Sequence, residues 1–532
     1  MERINREALF SDETEDYRHP CEADAGQEVI FYFRTERDGA DAVYLIEYDK
    51  QDRMKERDME YSHSDSLFDY YRCKYILGEE VLNYCFRADR EEDICFYGRL
   101  GAADQPSRET AFHMTPGFFV PDWCKGAVMY QIYVDRFCNG DPTNDVETNE
   151  YIYIGKPVER VRDWNELPSK MDVRRFYGGD IRGIWDKLSY LKSLKVEAIY
   201  LNPIFVSPSN HKYDCQDYDH VDPHFGVIRH DLDLLVEPDA MDNDNAGKYT
   251  ARTADEENLQ ASDLLFARFV EAAHEKGIRV IIDGVFNHCG SFNKWLDAEL
   301  IYQHEGGYPP GAYVSDKSPY RNFFKFNNHG NWPFNDSYDG WWGHSTLPKL
   351  NYEESPELYR YIMDIGKKWV SPPFNADGWR LDVAADLGRT SEFNHQFWKD
   401  FRKAVKEANP EAVIIAEHYG DPSEWLKGDE WDTVMNYDAF MEPVSWFLTG
   451  LEKHSDEANE SLYGNGKAFF EMMRYHMLRM QTSSLMTAMN ELSNHDHSRF
   501  LTRSNRRIGR LGTAGAAAAS EGISYGIFRQ GV

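Results

Sequence analysis

Two hydrophobic rhythms divide the chain near residue 120. Before it, short runs alternate apolar and polar residues: "EVIFYFRTE" (28–36), "AVYLIEYDK" (42–50), "FDYYRCKYIL" (68–77) and "LNYCFRAD" (82–89). Turns rich in Asp and Gly separate them, which predicts an N-terminal β-sandwich over residues 1–118. "TPGFFVPDW" (115–123), with two prolines and a glycine, reads as the linker. Beyond it, short continuous apolar runs alternate with stretches of helical period. The strand candidates are "AVMYQIYVD" (127–135), "VEAIYLNP" (196–203), "RVIIDGVF" (279–286), "GWRLDVA" (378–384), "AVIIAEHYG" (412–420), "DTVMNYD" (432–438) and "SLMTAMNEL" (484–492). Helical stretches such as "IRGIWDKLSYLKSLK" (181–195) and "LLFARFVEAAHEKG" (264–277) lie between them, the second ending in a glycine suited to a C-cap. Serial strand–helix units predict an α/β fold, a (β/α)8 barrel of the TIM type over 119–532, with a loop subdomain at about 288–365.

Polar residues gather where the predicted strands end. Asp283, Asn287 and His288 close the third strand, Arg380 and Asp382 the fourth. Glu417 follows the fifth, and His495 and Asp496 follow the seventh. Residues two apart on a strand share a face, so Arg380 and Asp382 lie on one side of an otherwise apolar segment. Buried charges need partners, and four strand ends aiming acids, an arginine and histidines at one rim predict an active site there.

Composition removes other classes. A formal charge of −32 over 532 residues disfavours a nucleic-acid partner. No run of 18 apolar residues predicts a membrane span, and the N-terminus lacks the apolar core of a signal peptide. Eight cysteines without close pairs form neither a zinc framework nor a disulfide scaffold, which fits a cytoplasmic protein. "CNGDPTND" (138–145) places Asn139, Asp141, Asn144 and Asp145 within seven residues; hard oxygen ligands suit calcium, and a solvated acidic turn fits the same residues.

The segments "DGVFNH" (283–288), "GWRLD" (378–382), "AEHYG" (416–420) and "SNHD" (493–496) resemble the four signature regions of the α-amylase family of retaining glycoside hydrolases. The resemblance runs from about Gly126 to Asp496. It is closest to the neopullulanase, cyclomaltodextrinase and maltogenic amylase branch, with support from "YGGDIRGIWDKLSYL" (177–191), "SNHKYDCQDYDHVDPHFG" (209–226) and "LPKLN" (347–351). It implies Asp382 as nucleophile, Glu417 as general acid/base and Asp496 as transition-state stabiliser. It further implies Tyr213 as an aromatic sugar platform, His211, His288, Arg380 and His495 as substrate-binding residues, and Asp283 with Asn287 as structural support. A structural calcium would be completed by Gly178 and Asp180. The substrate would be an α-glucan with α-1,4 and some α-1,6 bonds, such as a maltooligosaccharide, cyclodextrin or pullulan, and the complete form a homodimer.

The expected electrostatics follow. Arg380 should keep Asp382 ionised, and the apolar "VIIA" before Glu417 should favour its protonated form. Three departures from the family pattern stand out. "AEHYGD" differs from the branch's usual "EVWHD"-like sequence. An acidic insert at 237–260 reads by default as a passive loop. The chain is also expected to stop before an eighth strand and a C-terminal β-domain, which keeps a non-catalytic glucan binder or an inactive fragment as the alternative reading.

Overall fold

The computed structural model describes residues 3–303, 307–504 and 525–526. The chain groups into two compact units. One combines the chain up to Gly126 with Tyr419–Ala488; the other combines Ala127–His418 with the described residues 489–504 and 525–526. In this grouping by contact, residues 419–488 fall with the N-terminal part.

The first unit contains the predicted sandwich. Glu28–Glu36 and Phe68–Ile76 pair antiparallel in one sheet, and Ala42–Tyr48 and Leu82–Arg90 in the other. Alternate residues of Glu28–Glu36 point inward, so Val29, Phe31 and Phe33 are buried. Phe33 stacks on Phe86 at 4.8 Å, joining the two sheets through their aromatic faces.

A buried ionic knot ties this unit to its later segment. Arg18 donates to Glu13 at 2.9 Å, Arg99 approaches the same carboxylate at 3.3 Å, and the Thr482 hydroxyl donates to it. Arg99 also donates to the carbonyls of Leu478 and Met480, at 3.3 and 3.0 Å.

In the second unit the strands are β1 (Val128–Ile132), β2 (Ala198–Leu201), β3 (Arg279–Gly284), β4 (Gly378–Leu381) and β5 (Val413–Ala416). They run parallel in chain order, each hydrogen-bonded to the next. β2, β4 and β5 are fully buried, the pattern of strands covered on both faces. The flanking helices include α1 (Ile181–Ser193), α2 (Gly247–Ala254), α3 (Glu256–Glu275), α4 (Pro356–Val370) and α5 (Ser391–Ala408). The side chains of Asp180, Asp255, Ser355 and Thr390 cap α1, α3, α4 and α5. Gly277 follows α3 at φ +64°, the left-handed residue expected there.

Three expectations change. The predicted seventh strand begins as helix, Thr482–Met486, where the Thr487 hydroxyl satisfies the Ser483 carbonyl at 3.1 Å. Where the chain was expected to stop before an eighth strand, the two residues Tyr525–Gly526 run parallel beside Val128–Met129, on the side of β1 away from β2. The insert is also no loose loop. It contributes α2, whose Arg252 binds Glu150 at 2.9 Å and Asp231 at 2.7 Å, and whose Tyr249 is buried with its hydroxyl 2.7 Å from Gln216 Oε1. All eight thiols are free, and among the described residues no helix is long and apolar enough to cross a membrane.

The knot in the first unit gives a stability test. Burial opposes ionisation of Glu13, but Arg99, Arg18 and His113 bring its pKa down to about 2. Glu13→Gln should cost about 3 kcal/mol at neutral pH. A depressed carboxyl pKa stabilises the fold above the ordinary value of 4.5 and loses that effect as pH falls towards 2. Urea melts of parent and variant should therefore converge across that range; a gap independent of pH would contradict the assignment.

Candidate active site

Strand register builds the site. Asp283 of β3 lies directly beside Arg380 of β4. Leu381 lies beside Ala416 of β5, so Asp382 and Glu417 leave neighbouring strands at the same level. The Asp382 N–H donates to the Gly284 carbonyl at 3.0 Å, and the Glu417 N–H to that of Leu381 at 2.9 Å, carrying the sheet ladder into the catalytic rim.

One guanidinium binds all three acids. Arg380, with no exposed surface, contacts Asp382 Oδ1 through Nη1 at 2.8 Å and Asp283 Oδ2 at 3.2 Å. Its Nη2 lies 2.9 Å from Glu417 Oε2. The fork of a guanidinium reaches carboxylates in several directions at once, which an ammonium on a flexible stem cannot. Glu417 Oε2 also accepts from the Val383 N–H at 3.0 Å. Val383 sits in the left-handed region at φ +38°, costly for a β-branched side chain. That turn aims its N–H back at Glu417.

Sharing alters the expected charge state. Burial pushes the Asp382 pKa well above the ordinary carboxyl range; Arg380 opposes this, while Glu417 and Asp283 reinforce it. Burial raises Asp283 as well, against Arg380 and the hydroxyls of Tyr200 and Tyr213. The expectation that Arg380 simply keeps Asp382 ionised is therefore corrected. A single cation faces three buried acids, so Asp382 and Asp283 are pushed towards their neutral forms despite it.

The remaining predicted residues form a connected wall. Tyr213 donates its hydroxyl to Asp283 at 2.8 Å and stacks on His495 with ring centroids 5.2 Å apart. His495 Nδ1 accepts from Gln131 at 2.8 Å, which leaves Nε2 as the N–H side, 3.3 Å from Asp496 Oδ1. The Asp496 side chain is 45% exposed. Burial acts to raise its pKa, but His495 and Arg380 hold it below the ordinary range. His211 Nδ1 accepts from the Tyr213 N–H at 3.1 Å.

His288 is held from two sides. Its Nε2 lies 3.1 Å from the Tyr213 carbonyl and its Nδ1 3.2 Å from Asn287 Nδ2, so both nitrogens already have protein partners. Burial brings its pKa down to about 4, and Trp341 stacks on its ring at 5.0 Å. Sequence reading missed Gln131, Tyr200 and Val383, each of which contacts a predicted site residue. Gln131 is the one polar residue in "VMYQI", a signal that was present in the strand.

The candidate metal residues also meet. Asn139 Nδ2 donates to Asp145 Oδ1 at 2.7 Å, and the Gly178 α-carbon abuts the same pair: a Cβ there would lie 2.3 Å from Asp145 Oδ1. Asn139 Oδ1 and Asn144 Oδ1 are buried without hydrogen-bond partners. Asp145 is ion-paired with Arg160, and burial nonetheless lifts its pKa to about 6. Asp141 accepts from Thr143, and the Asp180 carboxylate accepts the N–H groups of Gly140, Asp141 and Gly183. Asp180 thus serves as a helix cap, while the two amide oxygens and Asp145 fit a hard cation.

Parallel strands with arginine-bridged acids at their C-terminal rim define an acid–base active site of the barrel class. Residues 131–240 and 262–523 match the α-amylase catalytic domain, and residues 14–119 the α-amylase N-terminal Ig-like domain. The chain belongs to the α-amylase family of glycoside hydrolases. The gap between the matched catalytic segments falls on the insert that carries α2. A cyclomaltodextrinase of Thermoanaerobacter pseudethanolicus is 30% identical over 525 residues, covering 95% of this chain and 76% of that protein. Neopullulanase 2 of Thermoactinomyces vulgaris is 32% identical over 451 residues, covering 82% of this chain and 63% of that one. A solved cyclomaltodextrinase superposes with a TM-score of 0.62 at 26% identity, covering 99% of this chain and 78% of the other.

Proposed function

We propose that this chain is a retaining α-glucan hydrolase acting on α-1,4 bonds, and some α-1,6 bonds, of maltooligosaccharides, cyclodextrins or pullulan. The observation that carries this reading is the Arg380 guanidinium contacting both Asp382 and Glu417. Retention needs two close carboxyl groups, one to attack and one to deliver a proton. Asp382 attacks the anomeric carbon and forms the glycosyl–enzyme ester. Glu417, as the general acid, delivers a proton to the departing glycosidic oxygen. Glu417 then takes a proton from the water that cleaves the ester. Asp496, held ionised beside His495, faces the positive charge that develops on the sugar ring.

Reducing-sugar release from cyclodextrin and pullulan tests the activity. Asp382→Asn and Glu417→Gln should each lower it by at least about a thousandfold with the melt preserved. With a slowly deglycosylated substrate, mass spectrometry should find the sugar on Asp382. A label on another carboxyl, or either variant near parent rates, would overturn the roles.

Structural calcium belongs to the same reading, held by Asn139, Asn144 and Asp145 with the Gly178 segment closing over it. Its support is the pair of buried amide oxygens lacking partners beside a carboxyl raised to about 6. The ion would add a second positive charge beside Asp145, which Arg160 already pairs, and act on stability rather than on the reaction. A cytoplasmic location is supported by eight free thiols. A homodimer rests on the family resemblance. Chelation should lower the melting temperature by several degrees without changing the rate per folded molecule. An unchanged melt together with no bound metal would remove calcium from the account. Light scattering on the same samples should give twice the chain mass, and a monomeric mass would exclude the dimer.

A further inference from the structure

Behind the three bridged acids lies a fourth carboxyl that the proposed reaction does not use. Glu491 has no exposed surface. Its Oε1 accepts from Asn494 Nδ2 at 3.2 Å, and its Oε2 is buried without a hydrogen-bond partner. Asn494, itself fully buried, connects it to the candidate stabiliser. Its Oδ1 accepts the Asp496 N–H at 2.9 Å and is 2.5 Å from His497 Nδ1. The Asn494 amide therefore has Glu491 on one side and the turn that presents Asp496 on the other.

We propose that Glu491 is a positioning residue of this active site, which works as an uncharged carboxylic acid and fixes the Asp496 turn through Asn494. An ionised carboxylate buried with one hydrogen bond would carry a penalty of several kcal/mol. The charged groups facing it are Arg380, already shared among Asp283, Asp382 and Glu417, and the acids Glu417 and Asp496. Burial, reinforced by those two acids and opposed by Arg380 and Asn494, raises its pKa well above the ordinary range. A neutral acid keeps an oxygen acceptor for Asn494 and adds no further negative charge beside Glu417. The inference rests on the proposed hydrolytic role of Asp496, but the protonation of Glu491 is measurable without any substrate.

The test uses the whole chain with Glu491→Gln and Glu491→Leu. Gln is the neutral isostere, so kcat should stay within about threefold of the parent, with the pH–rate profile unshifted. Leu removes the acceptor for Asn494, and kcat should fall about tenfold or more, with a smaller change in KM. The melt of each variant is recorded alongside. The infrared difference spectrum at neutral pH, parent minus Glu491→Gln, should contain the C=O stretch of a protonated carboxyl. If that band is absent and a carboxylate band takes its place, Glu491 is charged and the proposal fails, whether or not glucan is hydrolysed. A Gln variant that loses activity or shifts a pH limb would also overturn it, as would a Leu variant with parent kinetics. Loss of glucan hydrolysis in the parent itself, with the protonated band present, would instead count against the hydrolase reading.

Discussion

The site depends on one buried cation. Arg380 is surrounded by Asp283, Asp382 and Glu417, each from or just beyond a different strand; Arg380 and Asp283 have no exposed surface and the other two very little. Parallel register brings them to one level, and the guanidinium fixes their spacing. The arrangement also couples their protonation: a proton leaving one acid changes the affinity of the other two. A reaction that must move one proton out and back benefits from that coupling. Its cost is borne by the strands beneath, whose continuous apolar faces hold the charges in place.

Further shells support this centre. Tyr200 and Tyr213 satisfy Asp283, Gln131 sets the tautomer of His495, and Asn287 and the Tyr213 carbonyl occupy His288. Val383 accepts a strained backbone so that its N–H meets Glu417. The candidate catalytic residues are thus oriented by a surrounding set of hydrogen bonds.

Much of this was legible in the sequence because strand periodicity is local. The alternation in "GWRLD" placed Arg380 and Asp382 on one face, and the sandwich strands showed the same period. What stayed hidden depends on distant partners. "SLMTAMNEL" contains enough apolar residues for a strand, yet its first residues lie in the helical turn Thr482–Met486. Tyr525–Gly526 carries too short a pattern to be read without β1 beside it. The engagement of both His288 nitrogens, and the position of Glu491 behind the acids, follow from folding and not from spacing. The insert at 237–260 looked like an acidic loop because Glu150 and Asp231, the partners of Arg252, lie outside it.

The central claim is that a single forked cation holds the acids in working geometry. Arg380→Lys retains the charge but reaches the three carboxyls as a point rather than a fork. The most direct measurement is kcat/KM on cyclodextrin for this variant, with its melt recorded in parallel. The account predicts a loss of about a hundredfold or more in a folded protein. A folded lysine variant within a few-fold of the parent would contradict it.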